Sequence, residues 1–118
     1  MKEAFRHFEH NKKVDLIGLG NAIVDIIVNI TDEFLEINNL DKGSMNLISS
    51  DQSQTLLENC KVIKQMSGGS SANTVVCLAE LGNDVQFIGR VKNDQFGNFF
   101  SSDIKKSKTI FNLSLIHI

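Results

Sequence analysis

The 118-residue sequence has no proline, no tryptophan and no tyrosine, and its aromatic side chains are eight phenylalanines. Turns and helix ends must therefore come from glycine, asparagine and capping side chains. Isoleucine, asparagine and lysine are abundant, as an AT-rich coding sequence produces, and the missing residue types exclude no function by themselves. Positive charge is not in excess, with 12 Lys and Arg against 14 Asp and Glu. The net charge is −2 and the pI near 5.9, so no basic surface argues for nucleic acid or an anionic membrane. No apolar run approaches the roughly 20 residues that span a bilayer, so no membrane partner is expected. Residues 1–13 carry Glu3, Arg6, Glu9, Lys12 and Lys13 with no apolar stretch, unlike a secretory signal, and read as a polar extension. The two cysteines, Cys60 and Cys77, lack metal-ligand spacing, as do His7, His10 and His117. No metal site is expected from this chain. Cys77 falls in an apolar helical pattern and is expected as a buried, reduced thiol. A cytoplasmic protein is the expectation.

What is present is a regular alternation of β-like and helical segments. Val14 to Leu19 reads as a buried strand, and Asn21 to Ile30, rich in isoleucine and valine, as a second. Thr31 can cap a short helix with Asp32 and Glu33 in its first turn. Met45 to Ile48 is a short strand candidate, with Met45 expected in an apolar core. Ser49 to Gln52 has capping-box spacing ahead of a helix through Leu56 and Leu57. Lys61 to Met66 reads as an exposed strand. Ala72, Val75, Val76 and Ala79 recur at helical intervals over about 71–81, and Gly82 suits the position past that helix. Val85 to Gly89 is a further buried strand. Asn93 or Asp94 opens a last helix, with Phe96, Phe99, Phe100 and Ile104 on one face. The strand, helix and strand around 60–90 read as a parallel βαβ unit.

Two segments carry chemistry. In Gly68-Gly69-Ser70-Ser71-Ala72-Asn73, paired glycines let the backbone approach a ligand, and a helix follows. Helix N-termini present unpaired N–H groups. Asn73, one turn inside, adds an amide that donates and accepts. Upstream, Gly18-Leu19-Gly20-Asn21-Ala22-Ile23-Val24-Asp25 places an acid near a strand end. An ionised carboxylate accepts two hydrogen bonds from neighbouring hydroxyls. Asp25, Gly68, Gly69, Asn73 and Asn21 are the candidate binding residues. Asn21 also reads as a residue that shapes its turn, and Gly68-Gly69 also reads as a plain turn. Arg90 and Lys92 read as solvated turn residues.

These segments, with Gly89-Arg90-Val91-Lys92-Asn93-Asp94-Gln95-Phe96-Gly97, resemble the ribokinase-like (pfkB) carbohydrate kinases over roughly Val14 to Asn112. Lys42-Gly43-Ser44-Met45 and the Gly20-Asn21 opening look more like the adenosine kinase branch. Lys92, Asn93, Val75 and Ser71 depart from the family pattern. The resemblance implies an α/β fold: the N-terminal part of an α/β/α layer with a small β-sheet lid from segments 22–30, 44–48 and 61–66. It implies phosphorylation of a sugar or nucleoside hydroxyl, with ATP and Mg2+ as the cofactors of a full-length parent. Asp25 would hold two neighbouring hydroxyls, joined by the Gly69 N–H and the Asn73 amide. The resemblance is compatible with a homodimer through the lid in the full-length parent and equally with a monomer. The family's second signature, Asp-Thr-x-Gly-Ala-Gly-Asp, supplies the base and anion hole, and this sequence does not contain it.

The expected layout is a polar extension at 1–13, a partial kinase domain at 14–112 and a non-native tail at 113–118. The codons CTG TCT CTT ATA CAC ATC encode that tail and spell a transposon-end sequencing adapter. The same residues also alternate as a strand would. A fragment of this kind is expected to bind without catalysing, and to be poorly soluble or partly molten alone. Two other readings stand beside it. Gly18-x-Gly20 fits a dinucleotide-binding turn poorly, because Ile23 replaces the third small residue. A self-contained nucleotide- or sugar-binding module without catalysis is the alternative.

Overall fold

Strand β4, Val85–Lys92, forms the middle of a three-stranded sheet in a computed structural model that describes residues 13–116. Its neighbours are β1, Leu16–Leu19, and β5, Ile110–Ile116, and both pairings are parallel. Gly18 stands opposite Phe87, and Phe87 opposite Phe111. A central parallel strand is buried on both sides, which explains its near-continuous apolar start.

Two helices lie on this sheet: α3, Ser70–Glu80, and α4, Gln95–Lys105. Ala72 and Val75 of α3, Phe100 and Ile104 of α4, and Val85, Phe87, Val91 and Phe111 of the sheet make the core. Phe87, Phe100 and Phe111 meet with ring centroids 5.4–5.8 Å apart, a separation at which aromatic pairs attract. These three rings are the largest side chains of the core.

Helix ends follow local chemistry. Past α3, the Gly82 N–H donates to the Ala79 carbonyl and the Asn83 N–H to the Leu78 carbonyl, with Gly82 at φ +97°. This is the left-handed stop that glycine favours. Asp94 caps α4, its carboxylate accepting from the Gly97 N–H at 2.8 Å.

The chain divides into two compact units, one of segments up to Asp25 and from Met66 onward, the other Ile26–Gln65. The second unit holds α1, Asp32–Ile37, capped by Thr31, and α2, Ser50–Glu58. Ser49 and Gln52 make the complete capping box there. A two-stranded sheet pairs β2, Ile23–Asn29, with β3, Lys61–Gly68.

Four expectations are corrected. β3 pairs with β2 in a sheet of their own, as the lid assignment of 22–30 and 61–66 expects, so the βαβ reading around 60–90 fails and a parallel βαβ unit is found in β4-α4-β5. Met45–Ile48 forms no strand, because no segment among the described residues offers it a ladder; Met45 is 88% and Leu47 92% exposed. Cys77 is exposed. It lies about 200° around the helix from Val75, on the face away from the core. The buried stripe of α4 runs through Gly97, Phe100 and Ile104, leaving Phe96 exposed. The polar extension expected at 1–13, up to Lys12, and the last two residues of the tail lie outside the described residues. Among the described residues no helix is long and apolar enough to cross a membrane.

Candidate functional site

Asp25 owes its position to strand alternation. Along β2 the side chains of Ile23, Asp25, Ile27 and Asn29 are exposed while the residues between them are half-buried. Successive strand side chains point to opposite faces, so Asp25 projects from the open face. Its carboxylate lies against Gly68, the last residue of β3. A Cβ on Gly68 would collide with Oδ2 and lie 3.1 Å from Cγ. Glycine is what lets the acid sit over this backbone.

Gly69 is held in a conformation of its own. It has φ +104° and ψ 140°, a region open essentially to glycine alone. A Cβ there would come within 2.6 Å of the Asn21 carbonyl oxygen and 3.7 Å of Ile23 Cγ1. Asn21 thus meets the di-glycine through its backbone, and its side chain is exposed. The Asn73 N–H donates to the Gly69 carbonyl at 2.8 Å, closing the first turn of α3. Its side-chain amide is exposed at that end of the helix.

The N-terminus of α3 differs from the others in one respect. Thr31, Ser49 and Asp94 each accept a backbone N–H at the start of α1, α2 and α4. Gly69 caps α3 with no side chain to do so. The first-turn N–H groups of α3 are left for an outside acceptor. An exposed carboxylate, an uncapped helix start and an exposed amide make a surface that accepts and donates hydrogen bonds together. A molecule with neighbouring hydroxyls matches it.

Gly18 and Gly20 serve packing. A Cβ on Gly18 would strike Val75, and one on Gly20 would come within 2.8 Å of Ser71 Cβ. These glycines bring the start of α3 against β1, which accounts for the Gly-x-Gly spacing without a dinucleotide. The stretch 89–97 is likewise structural, running from strand to cap to helix. Gly97 is buried, and a Cβ there would strike the Lys92 carbonyl oxygen. Arg90 and Lys92 are exposed.

Sequence reasoning missed Asp103. Its Oδ2 accepts the Ser67 N–H at 2.8 Å, from a residue 36 positions earlier. The Ser67 amide, first, holds the Asp103 carboxyl below its ordinary value; the Ser67 hydroxyl and Lys106 act in the same sense, against partial burial. Lys106 Nζ lies 3.6 Å from Oδ1. The signal available was an acid beside the apolar stripe of an amphipathic helix.

No three His, Cys, Asp or Glu side chains gather as metal ligands among the described residues.

Comparison with known proteins places these features in a family. The pfkB family carbohydrate kinase pattern matches residues 40–112, more than half of the chain. The 5-dehydro-2-deoxygluconokinase of Bacillus thuringiensis (strain Al Hakam) is 30% identical over 111 residues, covering 94% of this chain and 26% of that protein. The adenosine kinase of Sinorhizobium meliloti superposes with a TM-score of 0.71 at 39% identity, over 89% of this chain and 32% of the other. A probable sugar kinase from Rhizobium etli CFN 42 gives 0.70 and 35%, over 87% and 31%. The chain spans about a quarter of the length of the curated relatives it matches.

Proposed function

Because the chain belongs to the pfkB family of carbohydrate kinases, we propose that it supplies the acceptor-binding part of an enzyme that phosphorylates a sugar or nucleoside hydroxyl. One observation carries the proposal: the Asp25 carboxylate lies against Gly68, immediately before the uncapped start of α3. Asp25 accepts two hydrogen bonds from a vicinal diol, and the Gly69 N–H and Asn73 amide bind the same hydroxyls. Charge-assisted bonds of this kind are the stronger class.

The reaction needs more than these residues. The attacking hydroxyl oxygen bonds to the γ-phosphorus of ATP, the bond to the ADP oxygen breaks, and a base takes the hydroxyl proton. The signature that resemblance assigns to that base is not in this sequence. Magnesium in such enzymes is held by one or two carboxylates and by phosphate oxygens. We therefore assign ATP and magnesium to the complete protein, and to this chain binding without transfer.

The test uses the full-length protein and a panel of nucleosides, hexoses and sugar acids, with binding read by calorimetry and phosphorylation by ADP release. Asp25→Ala is expected to lose at least about 100-fold in acceptor affinity, as two bonds to a charged group imply. Unchanged affinity removes Asp25 from the site. A wild-type protein that phosphorylates none of the panel removes the kinase reading.

A further inference from the structure

The di-glycine entrance is fixed from both sides. On its far side, the Asn73 N–H donates to the Gly69 carbonyl at 2.8 Å. On its near side, Ser67 is the residue before Gly68, and its N–H is taken by Asp103. Asp103 does not belong to the local segment; it comes from α4. That helix is anchored by Phe100 and Ile104 in the core and by Gly97 against the Lys92 carbonyl. Its side chain is 23% exposed, so water competes only partly for the carboxylate. A hydrogen bond to a charged acceptor on an anchored helix is a stiff support.

We infer that Asp103 is a positioning residue for acceptor binding: by holding the Ser67 amide it sets the path of Gly68 beneath the Asp25 carboxylate. This rests on the reading of Asp25, Gly69 and Asn73 as the acceptor site. The hydrogen bond Asp103 accepts comes from Ser67, which is outside that site. Losing the Ser67 bond frees the strand end to shift, and Gly68 then no longer presents its bare Cα to Asp25. The loss falls on the acceptor hydroxyls, which the pair positions, and not on the nucleotide, which they do not bind.

The experiment compares full-length wild type with Asp103→Ala and Asp103→Asn. Two readouts are needed, steady-state kinetics and amide hydrogen exchange at residues 67–71. Asp103→Ala is expected to raise the acceptor KM about tenfold with the KM for ATP unchanged. Asp103→Asn keeps an oxygen that accepts the Ser67 N–H, so it is expected to fall between and also serves if the alanine variant fails to fold. Exchange at 67–71 is expected to quicken in the same order. Equal rises in both KM values, or faster exchange with neither KM changed, would overturn the inference and leave a packing contact. Unchanged exchange in both variants overturns it regardless of activity. If wild type phosphorylates no sugar or nucleoside while exchange still quickens, the kinase reading fails and the tie to the entrance holds.

Discussion

The Asp25 carboxylate occupies the space into which a side chain on Gly68 would grow. Gly68→Ala therefore pushes on the far end of an exposed, rotatable acid and leaves the backbone alone. Acceptor affinity is expected to fall about tenfold, while stability changes by less than about 1 kcal/mol. Titration calorimetry and urea unfolding of the full-length protein measure the two separately. Loss of stability with affinity intact would mean that the acid is not displaced.

Gly69 makes the opposite case. Alanine there meets a φ of +104° and a backbone carbonyl, Asn21, that cannot swing aside. The expected cost of Gly69→Ala is about 2–3 kcal/mol, in the range for a non-glycine residue forced into such a conformation. Gly82 has a similar φ of +97° with open space around it. Its alanine variant is expected to cost about 1 kcal/mol, from the backbone term alone. Equal losses at the two glycines would show that crowding by Asn21 contributes nothing.

Asp103 gives the protein a pH dependence of known sign. The Ser67 amide, then the Ser67 hydroxyl and Lys106, hold its carboxyl below the ordinary value of 3.8. The folded state binds this proton less readily than the unfolded chain does. Its stabilising contribution is thus complete above the unfolded value and disappears as pH falls through the lower folded one. The stability gap between wild type and Asp103→Asn is expected to be flat from neutral pH to about 5, and to close below about 4. Urea unfolding across that range reads it directly. A gap that is the same at both ends would show that the charge on Asp103 contributes no stability.

What was legible in the sequence was local. Thr31, the Ser49–Gln52 box, Asp94 and Gly82 each mark a helix end within a few residues, and all four do so in the structure. The di-glycine and Asp25 were legible as candidates from residue type. Their proximity was legible only through the family resemblance and not from the residues alone, because it depends on β2 pairing with β3 across the whole of α1 and α2. The same long-range pairing took β3 out of the main sheet. Cys77 and Phe96 were misjudged by rotation: both sit beside an apolar stripe whose center depends on which neighbour the helix meets. Asp103 was invisible for the same reason, since its partner is 36 residues away.

Although β4 is buried on both sides, the edge strand β1 opens an apolar face of its own to solvent. Gly18 points at α3, so Ile17 and Leu19 point the other way, and they are 38% and 70% exposed. Parallel sheets are ordinarily covered on both faces. β1 and β5 are also the edges of the three-stranded sheet and have backbone groups that no other described strand pairs. The 118-residue chain on its own is therefore expected to bind the dye ANS strongly and to self-associate at micromolar concentration. Leu19→Lys adds a charge to this open face without touching the core, and is expected to reduce both. Dye fluorescence and light scattering after size exclusion give the answer. A monodisperse monomer with a sharp thermal transition and no dye binding would mean that this face is not sticky in water.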